Sequence, residues 1–212
     1  MKLKNKEEKG KIKAIIFDIG GVLIFYDHII AAIKLSRITG ISPEKIVSVL
    51  SSEKGKFTIK SDLGASIKEY WNIAEKEFKI KIKSPEKFQE LWNTIFWPNM
   101  ELLSLTKKLK KDYKLAILSN INVGHKKYLL KEYSLKKYFN VIVLSCDAKT
   151  RKPGSKIFKI ALKKLNVKPN EAIFIDNLIA NIKGAREVGI NGIHFKNNEQ
   201  LFKDLEKLGI KV

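Results

Sequence analysis

The stretch AIIFDIGGVL, residues 14–23, decides the fold class of this 212-residue chain. Its first four residues are continuously apolar, as in a strand of a parallel sheet that is covered on both faces. Asp18 follows them directly, and Gly20 and Gly21 come next. Glycine allows a backbone to approach a ligand closely. The stretch therefore predicts a buried strand that delivers a carboxylate to a ligand-binding loop.

Apolar runs of the same kind recur further along the chain. They cover residues 115–118, 141–144 and 172–175, with a weaker run at 192–195. Helical patterns lie between them, at residues 100–111, 155–165 and 178–188. Strands that alternate with helices predict an α/β fold with a doubly wound, Rossmann-like parallel sheet.

Residues 25–97 interrupt this alternation and contain no convincing strand. Helical patterns cover residues 27–38, 43–51, 65–78 and 85–96. Two of these helices are preceded by Ser-Pro-Glu, which supplies a capping residue and a first-turn proline. We therefore predict an all-helical insert at 25–97 in a core domain formed by 14–24 and 98–212, after a Lys-rich lead-in at 1–13.

The charge of the chain indicates what kind of partner it binds. The chain has 42 Lys and Arg against 22 Asp and Glu, for a net charge of +20. Only three of the basic residues are Arg, the usual reader of bases and phosphates, and the Lys residues are spread along the whole chain. We therefore expect attraction of small phosphorylated substrates, with no nucleic acid as the main partner.

The same sequence bears on location and assembly. No apolar run approaches the roughly 18–20 residues of a membrane span, and the first residues lack the apolar stretch of a signal peptide. The single cysteine, Cys146, forms no intrachain disulfide and is expected to be a small interior residue. We expect a cytoplasmic protein without a membrane partner, either a monomer or a homodimer.

Polar side chains follow the predicted strands at their carboxyl ends, where open α/β sheets bind ligands. Asp18 ends the first strand, Ser119-Asn120 the second and Asp176-Asn177 the fourth, while Lys152 lies in the loop after the third. Two carboxylates at one sheet edge repel unless a cation lies between them, and Mg²⁺ prefers oxygen ligands. The set fits phosphoryl transfer through an aspartyl-phosphate.

In this order, the four segments resemble the four motifs of the haloacid dehalogenase (HAD) superfamily, and the resemblance covers residues 14–195. The insert resembles the cap domain of that family. Within it, residues 64–71 resemble a cap segment of the branch that contains sugar-phosphate phosphatases and the phosphatase half of soluble epoxide hydrolases. The resemblance implies an enzyme, a Mg²⁺-dependent phosphatase that acts on a small phosphorylated metabolite.

The resemblance also implies a role for each residue of the motifs. Asp18 would be the nucleophile, Ser119 would bind the transferring phosphoryl group, Asn120 would orient that loop, and Lys152 would neutralise charge and bind the phosphate. The implied metal ligands are Asp18, the backbone carbonyl of Gly20, Asp176 and Asn177. Asn177 stands where a second acidic residue is common, and Asn181 is a common family choice in the helix that follows.

Gly20 departs from the family pattern, in which a second Asp protonates the leaving oxygen and then activates water. Such help is typically worth about 10²–10⁴-fold in rate. Three outcomes stay open. Water or groups of the substrate suffice, or a group at the junction with the insert (Tyr26, Asp27 or His28) substitutes, or hydrolysis is very slow and the protein mainly binds.

Two other functions remain alternatives on the same fold. One is a non-hydrolytic phosphate-binding or scaffold protein, because fold does not fix function. The other is a metal-free 2-haloacid dehalogenase, which also lacks the second Asp, although Asp176 resembles the metal-binding version of the fourth motif. The spacing of His28, His125 and His194 indicates no zinc site.

Overall fold

The computed structural model describes residues 11–50, 56–78 and 84–212. Most of the Lys-rich lead-in, residues 1–10, lies outside the described residues. The strands are β1 (Ala14–Phe17), β2 (Ile24–Tyr26), β3 (Phe96–Pro98), β4 (Lys114–Ser119), β5 (Val141–Leu144), β6 (Ala172–Asp176) and β7 (Asn191–His194). The helices are α1 (His28–Thr39), α2 (Pro43–Leu50), α3 (Lys56–Asp62), α4 (Ile67–Phe78), α5 (Pro85–Trp92), α6 (Met100–Leu109), α7 (Val123–Glu132), α8 (Ser145–Ala148), α9 (Ser155–Leu165), α10 (Ile179–Glu187) and α11 (Asn198–Lys207).

Five strands form a parallel sheet in the order β5-β4-β1-β6-β7. The strand quoted first from the sequence, β1, lies at the centre, with Phe17 paired to Ile117 on one side and to Ile175 on the other. This confirms the predicted α/β fold. It also places the carboxyl ends of β1, β4 and β6 side by side.

Alternate side chains of the central strands enter two different cores. Ile15 and Phe17 pack in one cluster, and Ala14 and Ile16 pack in the other, on the opposite face of the sheet. Both clusters are covered by helices, so each face of the sheet is buried. This is the physical reason for the continuous apolar runs, because a strand with one wet face would alternate apolar and polar residues.

The insert forms a third apolar cluster around Leu35, Ile46, Phe88 and Trp92. Helices α1, α2, α4 and α5 match predicted helices. Helix α3 was not predicted, because its seven residues contain only two apolar ones, Phe57 and Ile59, and these are two positions apart. The expectation that the insert contains no strand was wrong. β2 and β3 pair antiparallel where the chain leaves and re-enters the core.

The reason for that error is the length of the two strands. Each has three residues, and Tyr26 pairs with Phe96, 70 positions later. Local periodicity cannot reveal such a distant pair, and the short apolar runs merge into the neighbouring helical patterns. None of the helices in the described part of the chain has the length and hydrophobicity to cross a bilayer.

Candidate active site

Three of the predicted site residues lie together at the carboxyl edge of the sheet. Asp18 follows β1, Ser119 ends β4 and Asp176 ends β6, and all three side chains are buried. The amide of Asp18 donates to the carbonyl of Ile175 at 2.9 Å, so the sheet pairing continues to the carboxylate itself. Because β1 lies between β4 and β6, Asp18 lies between Ser119 and Asp176.

Lys152 joins the two carboxylates. Its Nζ lies 2.9 Å from Asp18 Oδ1 and 2.6 Å from Asp176 Oδ2, and the side chain is only 1% exposed. Burial opposes the charge on Lys152, but Asp18 and Asp176 outweigh burial and raise the pKa of the ammonium above its usual range. Lys152 therefore stays charged and contacts both carboxyl groups in one small buried volume.

Asp18 has a strongly altered acidity. Burial, aided by the nearby charge of Asp176, raises the pKa of Asp18 to about 7, and Lys152 together with a hydrogen bond from Ser119 opposes that shift. The amide of Ile19 also donates to Asp18 Oδ1 at 2.7 Å. A divalent cation against this carboxylate would favour its ionised, nucleophilic form.

Two asparagines position these charged groups. Asn120 Nδ2 donates to the carbonyl of Lys152 at 3.0 Å, and the amide of Lys152 donates back to Asn120 Oδ1 at 2.9 Å. Asn181 Nδ2 lies within 3.1 Å of both oxygens of Asp176. The loop after β4 is thereby tied to the lysine loop, and α10 is tied to the carboxylate that ends β6.

Neighbouring side chains crowd the glycine loop after Asp18. Gly21 has a φ of +74°, and a Cβ at this position would collide with the side-chain amide of Asn177. A Cβ at Gly20 would lie 3.0 Å from Cε1 of Tyr26. The ring of Tyr26 therefore lies close to the point where the side chain of the family's second aspartate would begin.

A cavity of about 360 Å³ opens on these residues and is lined by both the core and the insert. Its wall includes Tyr26, His28 and Trp92 from the insert, and the rings of His28 and Trp92 stack with their centroids 5.7 Å apart. Asp27 does not reach it, because its carboxylate is exposed and caps α1 through the amide of Ile29.

The cavity wall holds buried polar atoms that lack a hydrogen-bond partner. Among the described residues, every such side-chain atom belongs to a residue of this wall: His28 Nδ1, Thr58 Oγ1, Ser61 Oγ, His125 Nε2 and Arg151 Nε. Buried polar groups are normally paired. Their concentration in one cavity indicates a site for a polar ligand.

Two of these groups are histidines that are uncharged at neutral pH. Burial lowers the pKa of His28 to about 4. Burial and the proximity of His28 lower the pKa of His125 to about 3. Both imidazoles can donate and accept hydrogen bonds without adding charge. Sequence reasoning assigned no site to His125, because its neighbours, the insert residues His28 and Phe96, are far away in the sequence.

An ion pair across the cavity wall was also missed. Asp62, at the end of α3, accepts from Arg151 Nη2 at 3.0 Å. The one sequence signal that could have indicated this ion pair is the position of Arg151 directly before Lys152. Nothing in the local sequence of α3 distinguishes Asp62, and only the packing of the insert on the core brings it to the cavity.

Comparison with known proteins decides the family. The family of haloacid dehalogenase-like hydrolases matches residues 15–195, from the first strand to the last. The chain belongs to the haloacid dehalogenase-like hydrolases. This confirms the resemblance drawn from the four motifs. The insert lies between the first two of these motifs, and we call it the cap from here on.

Individual HAD proteins extend this comparison. A HAD family enzyme from Bacteroides thetaiotaomicron, solved with magnesium and inorganic phosphate, is 27% identical, with a TM-score of 0.79 over 90% of this chain and 99% of that one. A glyceraldehyde 3-phosphate phosphatase from Pyrococcus furiosus is 37% identical over 101 residues, which are 47% of this chain and 42% of that protein. Bifunctional epoxide hydrolase 2 from Rattus norvegicus is 30% identical over 103 residues, 47% of this chain and 19% of that protein. The chain thus matches less than half the length of these two curated relatives.

The donor atoms at this HAD site fit a magnesium ion. Carboxylate oxygens of Asp18 and Asp176, the backbone carbonyl of Gly20 and the amide oxygen of Asn177 are all oxygen donors, which Mg²⁺ prefers. The described residues contain no group of three or more His, Cys, Asp or Glu side chains placed to hold a metal. Mg²⁺ tolerates such a sparse protein shell, because it usually keeps several waters.

Proposed function

We propose that this protein is a Mg²⁺-dependent phosphatase that hydrolyses a small phosphate monoester through an aspartyl-phosphate at Asp18. The observation that carries the proposal is the buried Lys152 ammonium, which contacts both Asp18 and Asp176 at the floor of a cavity. A carboxylate that is buried beside a fixed cation is suited to attack a substrate that is itself an anion, because the cation offsets their repulsion.

Each residue has a task in the proposed reaction. Asp18 attacks phosphorus, and the bond from phosphorus to the ester oxygen breaks as the new bond forms. Ser119 and Lys152 donate to the phosphoryl oxygens, while Asn120 keeps Lys152 in place through its paired hydrogen bonds. Water then attacks the phosphorus of the acylphosphate, releasing inorganic phosphate and restoring the carboxylate.

Magnesium would be held by Asp18, the carbonyl of Gly20, Asp176 and Asn177. When bound, it supplies positive charge next to the transferring phosphoryl group. Asn177 and Lys152 set the charge of the site: an amide at position 177 leaves two carboxylates, against one ammonium. The ionised side chains then carry a net negative charge, which favours binding of a dication over a site with no net charge.

The cavity favours a substrate whose organic part is small and bears hydroxyl groups. Its volume of about 360 Å³ lies near the lower end of the range of ligand pockets and accommodates a small phosphorylated metabolite. The unpartnered atoms of His28, Ser61 and His125 would pair with hydroxyls. Unpaired polar groups reject an analogue that cannot satisfy them, so this lining would also supply specificity.

The relatives support this direction. The Bacteroides thetaiotaomicron neighbour holds magnesium and inorganic phosphate, and the Pyrococcus furiosus relative is a phosphatase named for glyceraldehyde 3-phosphate. The bound magnesium and phosphate of the first and the phosphatase name of the second support the same proposal for this chain.

Release of phosphate from an activated aryl phosphate and from a panel of sugar phosphates tests the proposal. We expect turnover that requires Mg²⁺, is lost with a chelator, and falls by at least about 10³-fold in Asp18→Asn, because the amide is not a nucleophile. Thermal unfolding of Asp18→Asn checks that the variant is folded.

Two outcomes would contradict the proposal. Halide release from a 2-haloacid that a chelator leaves unchanged would support the dehalogenase alternative. Saturable binding of inorganic phosphate by folded protein, without turnover of even the aryl ester, would support the phosphate-binding alternative.

A further inference from the structure

Hydrolysis of an unactivated phosphate ester requires a proton donor for the leaving oxygen. Gly20 cannot supply it, and the ring of Tyr26 fills the adjacent space. Asp27 is exposed and occupied as the cap of α1. His28 and His125 are neutral imidazoles at neutral pH and are not acids of the required strength. Burial lowers the pKa of His28 to about 4 and that of His125 to about 3.

One other acidic group lines the same cavity as Asp18. Among the described residues, Asp18 and Asp62 are the acidic side chains that line the cavity. Asp62 stands on α3 of the cap, and its side chain is only 11% exposed. It belongs to the cap, whereas Asp18 follows β1 of the core.

Asp62 is held in place by two contacts, one to its carboxyl and one to its backbone. Its Oδ2 accepts from Arg151 Nη2 at 3.0 Å. The backbone carbonyl of Asp62 accepts from Ser145 Oγ at 2.6 Å, which ties the end of α3 to the core. Because Arg151 is the neighbour of Lys152, the same loop positions both Asp62 and the ammonium that contacts Asp18.

We propose that Asp62 is the general acid and base of the reaction and takes the place of the aspartate that is absent at Gly20. This rests on the proposed phosphatase function. As Asp18 attacks phosphorus, the Asp62 carboxyl gives its proton to the ester oxygen, and a neutral alcohol leaves. As water attacks the acylphosphate, the Asp62 carboxylate takes a proton from that water. Inorganic phosphate then departs, and Asp62 is protonated again for the next cycle.

The acidity of Asp62 suits both halves of this cycle. Burial raises the pKa of Asp62 to about 6, although Arg151 and Lys152 act against the shift. The groups that face it are Arg151, Lys152 and, from the end of α8, Lys149, whose Nζ donates to the carbonyl of Leu63. An acid–base catalyst works best with a pKa near the operating pH, because both of its forms are then accessible.

Asp62→Asn tests the proposal with two substrates that differ in the leaving group. Glycerol phosphate has a poor leaving group that needs a proton, and nitrophenyl phosphate has a good one that does not. We expect kcat/KM to fall by about 10²–10⁴-fold for glycerol phosphate, the range of general acid catalysis. For nitrophenyl phosphate, the loss should stay below about tenfold.

The pH profile supplies a readout that a structural role would not move. Asp18 and the phosphate of the substrate titrate in both proteins, so the ratio of wild type to Asp62→Asn isolates Asp62. Its acid form is lost as pH rises through the pKa of about 6. For glycerol phosphate, the ratio should therefore be greatest below pH 6 and fall about tenfold for each pH unit above it.

Three controls keep the test sharp. Glu75→Gln removes one exposed acidic charge from α4 of the cap and should keep the wild-type profile for both substrates. Asp62→Glu retains a carboxyl, so its kcat/KM for glycerol phosphate, divided by its kcat/KM for nitrophenyl phosphate, should still fall as pH rises. This comparison uses no Asp62→Asn protein and therefore covers the case in which that variant does not fold. Tyr26→Phe should not discriminate between the two leaving groups.

The outcomes separate the two proposals. Equal losses for both esters in Asp62→Asn, or a ratio that does not change with pH, would overturn the role of Asp62 while Asp18-dependent turnover still stands. A leaving-group-dependent loss in Tyr26→Phe instead would move the role to Tyr26. Absence of any Asp18-dependent turnover in wild type would remove the phosphatase proposal itself.

Discussion

At the scale of the residue, the site depends on one buried ammonium. Lys152 is among the largest fully buried side chains and is the direct neighbour of two buried carboxylates. Removing one member of such a group leaves buried charges without compensation, which is far more costly than losing a surface ion pair. The same lysine that would serve phosphoryl transfer therefore also stabilises the folded state.

Lys152→Gln is expected to reduce the free energy of unfolding by about 3–5 kcal/mol at pH 8, because Asp18 and Asp176 are left to repel each other. Protonation of these carboxylates, or binding of a cation beside them, should reduce this loss of stability. A carboxyl whose folded pKa is raised favours the folded state as pH falls, so the difference from wild type should narrow between pH 8 and pH 5. Saturating Mg²⁺ should narrow it as well.

Chemical denaturation at both pH values, with and without Mg²⁺, measures these differences. His28 and His125 titrate in both proteins and cancel in the comparison. Lys159→Gln removes an exposed lysine from α9 and should change stability by less than about 0.5 kcal/mol. A loss in Lys152→Gln that neither pH nor Mg²⁺ affects would mean that packing, and not charge, holds the site together.

At the scale of the element, the cap and core meet through close contacts between helices. Gln89 on α5 of the cap is buried and packs directly on Gly124 in the first turn of α7 of the core, and its Nε2 donates to Asn93 Oδ1 at 2.9 Å. A Cβ at position 124 would collide with the end of the Gln89 side chain. The absence of a side chain at Gly124 thus sets how closely α5 can approach the core.

Gly124→Ala is expected to reduce the free energy of unfolding by about 1–3 kcal/mol, the usual cost of overpacking. It should also raise KM, because displacing α5 moves Trp92 in the cavity wall. Gln89→Ala removes the colliding group. Gly124→Ala should therefore cost little stability when it is made in the Gln89→Ala background. A double-mutant cycle by thermal unfolding and steady-state kinetics measures this coupling, and simple additivity would contradict it.

At the scale of the whole molecule, charge affects how a substrate arrives. The net charge of +20 attracts a phosphate dianion over distances that are comparable with the screening length. Raising the NaCl concentration from about 0.01 M to about 0.3 M shortens that length several-fold. We therefore expect kcat/KM for a phosphate monoester to fall by a few-fold, while kcat at saturating substrate changes by less than about twofold.

Steady-state kinetics across the salt series measures this effect. Sucrose at the same osmolality is the control for viscosity and osmotic effects, because it carries no charge and should leave kcat/KM close to its low-salt value. A kcat/KM that is independent of salt would show that the lysines form a solvated surface without long-range influence on the site.

Much of the architecture could be predicted because its signals are local. The runs around Ile15, Ile117 and Ile175 are continuously apolar because both faces of the sheet are buried, so the parallel fold was recognisable from the sequence. The residues that follow parallel strands lie together at one edge of the sheet. The positions of Asp18, Ser119 and Asp176 directly after apolar runs were therefore enough to predict that they lie close together.

The amino-acid sequence by itself determined the alternation of strands and helices in the core, the residues at the carboxyl ends of its strands, and the resemblance to the HAD family. Only the tertiary structure decided what faces those residues from the cap. Asp62 and His125 have no local pattern that marks them, and the pairing of Tyr26 with Phe96 joins segments 70 positions apart. The physical reason is that a strand end is a local property of the chain, whereas a cavity wall is defined by contacts between distant segments.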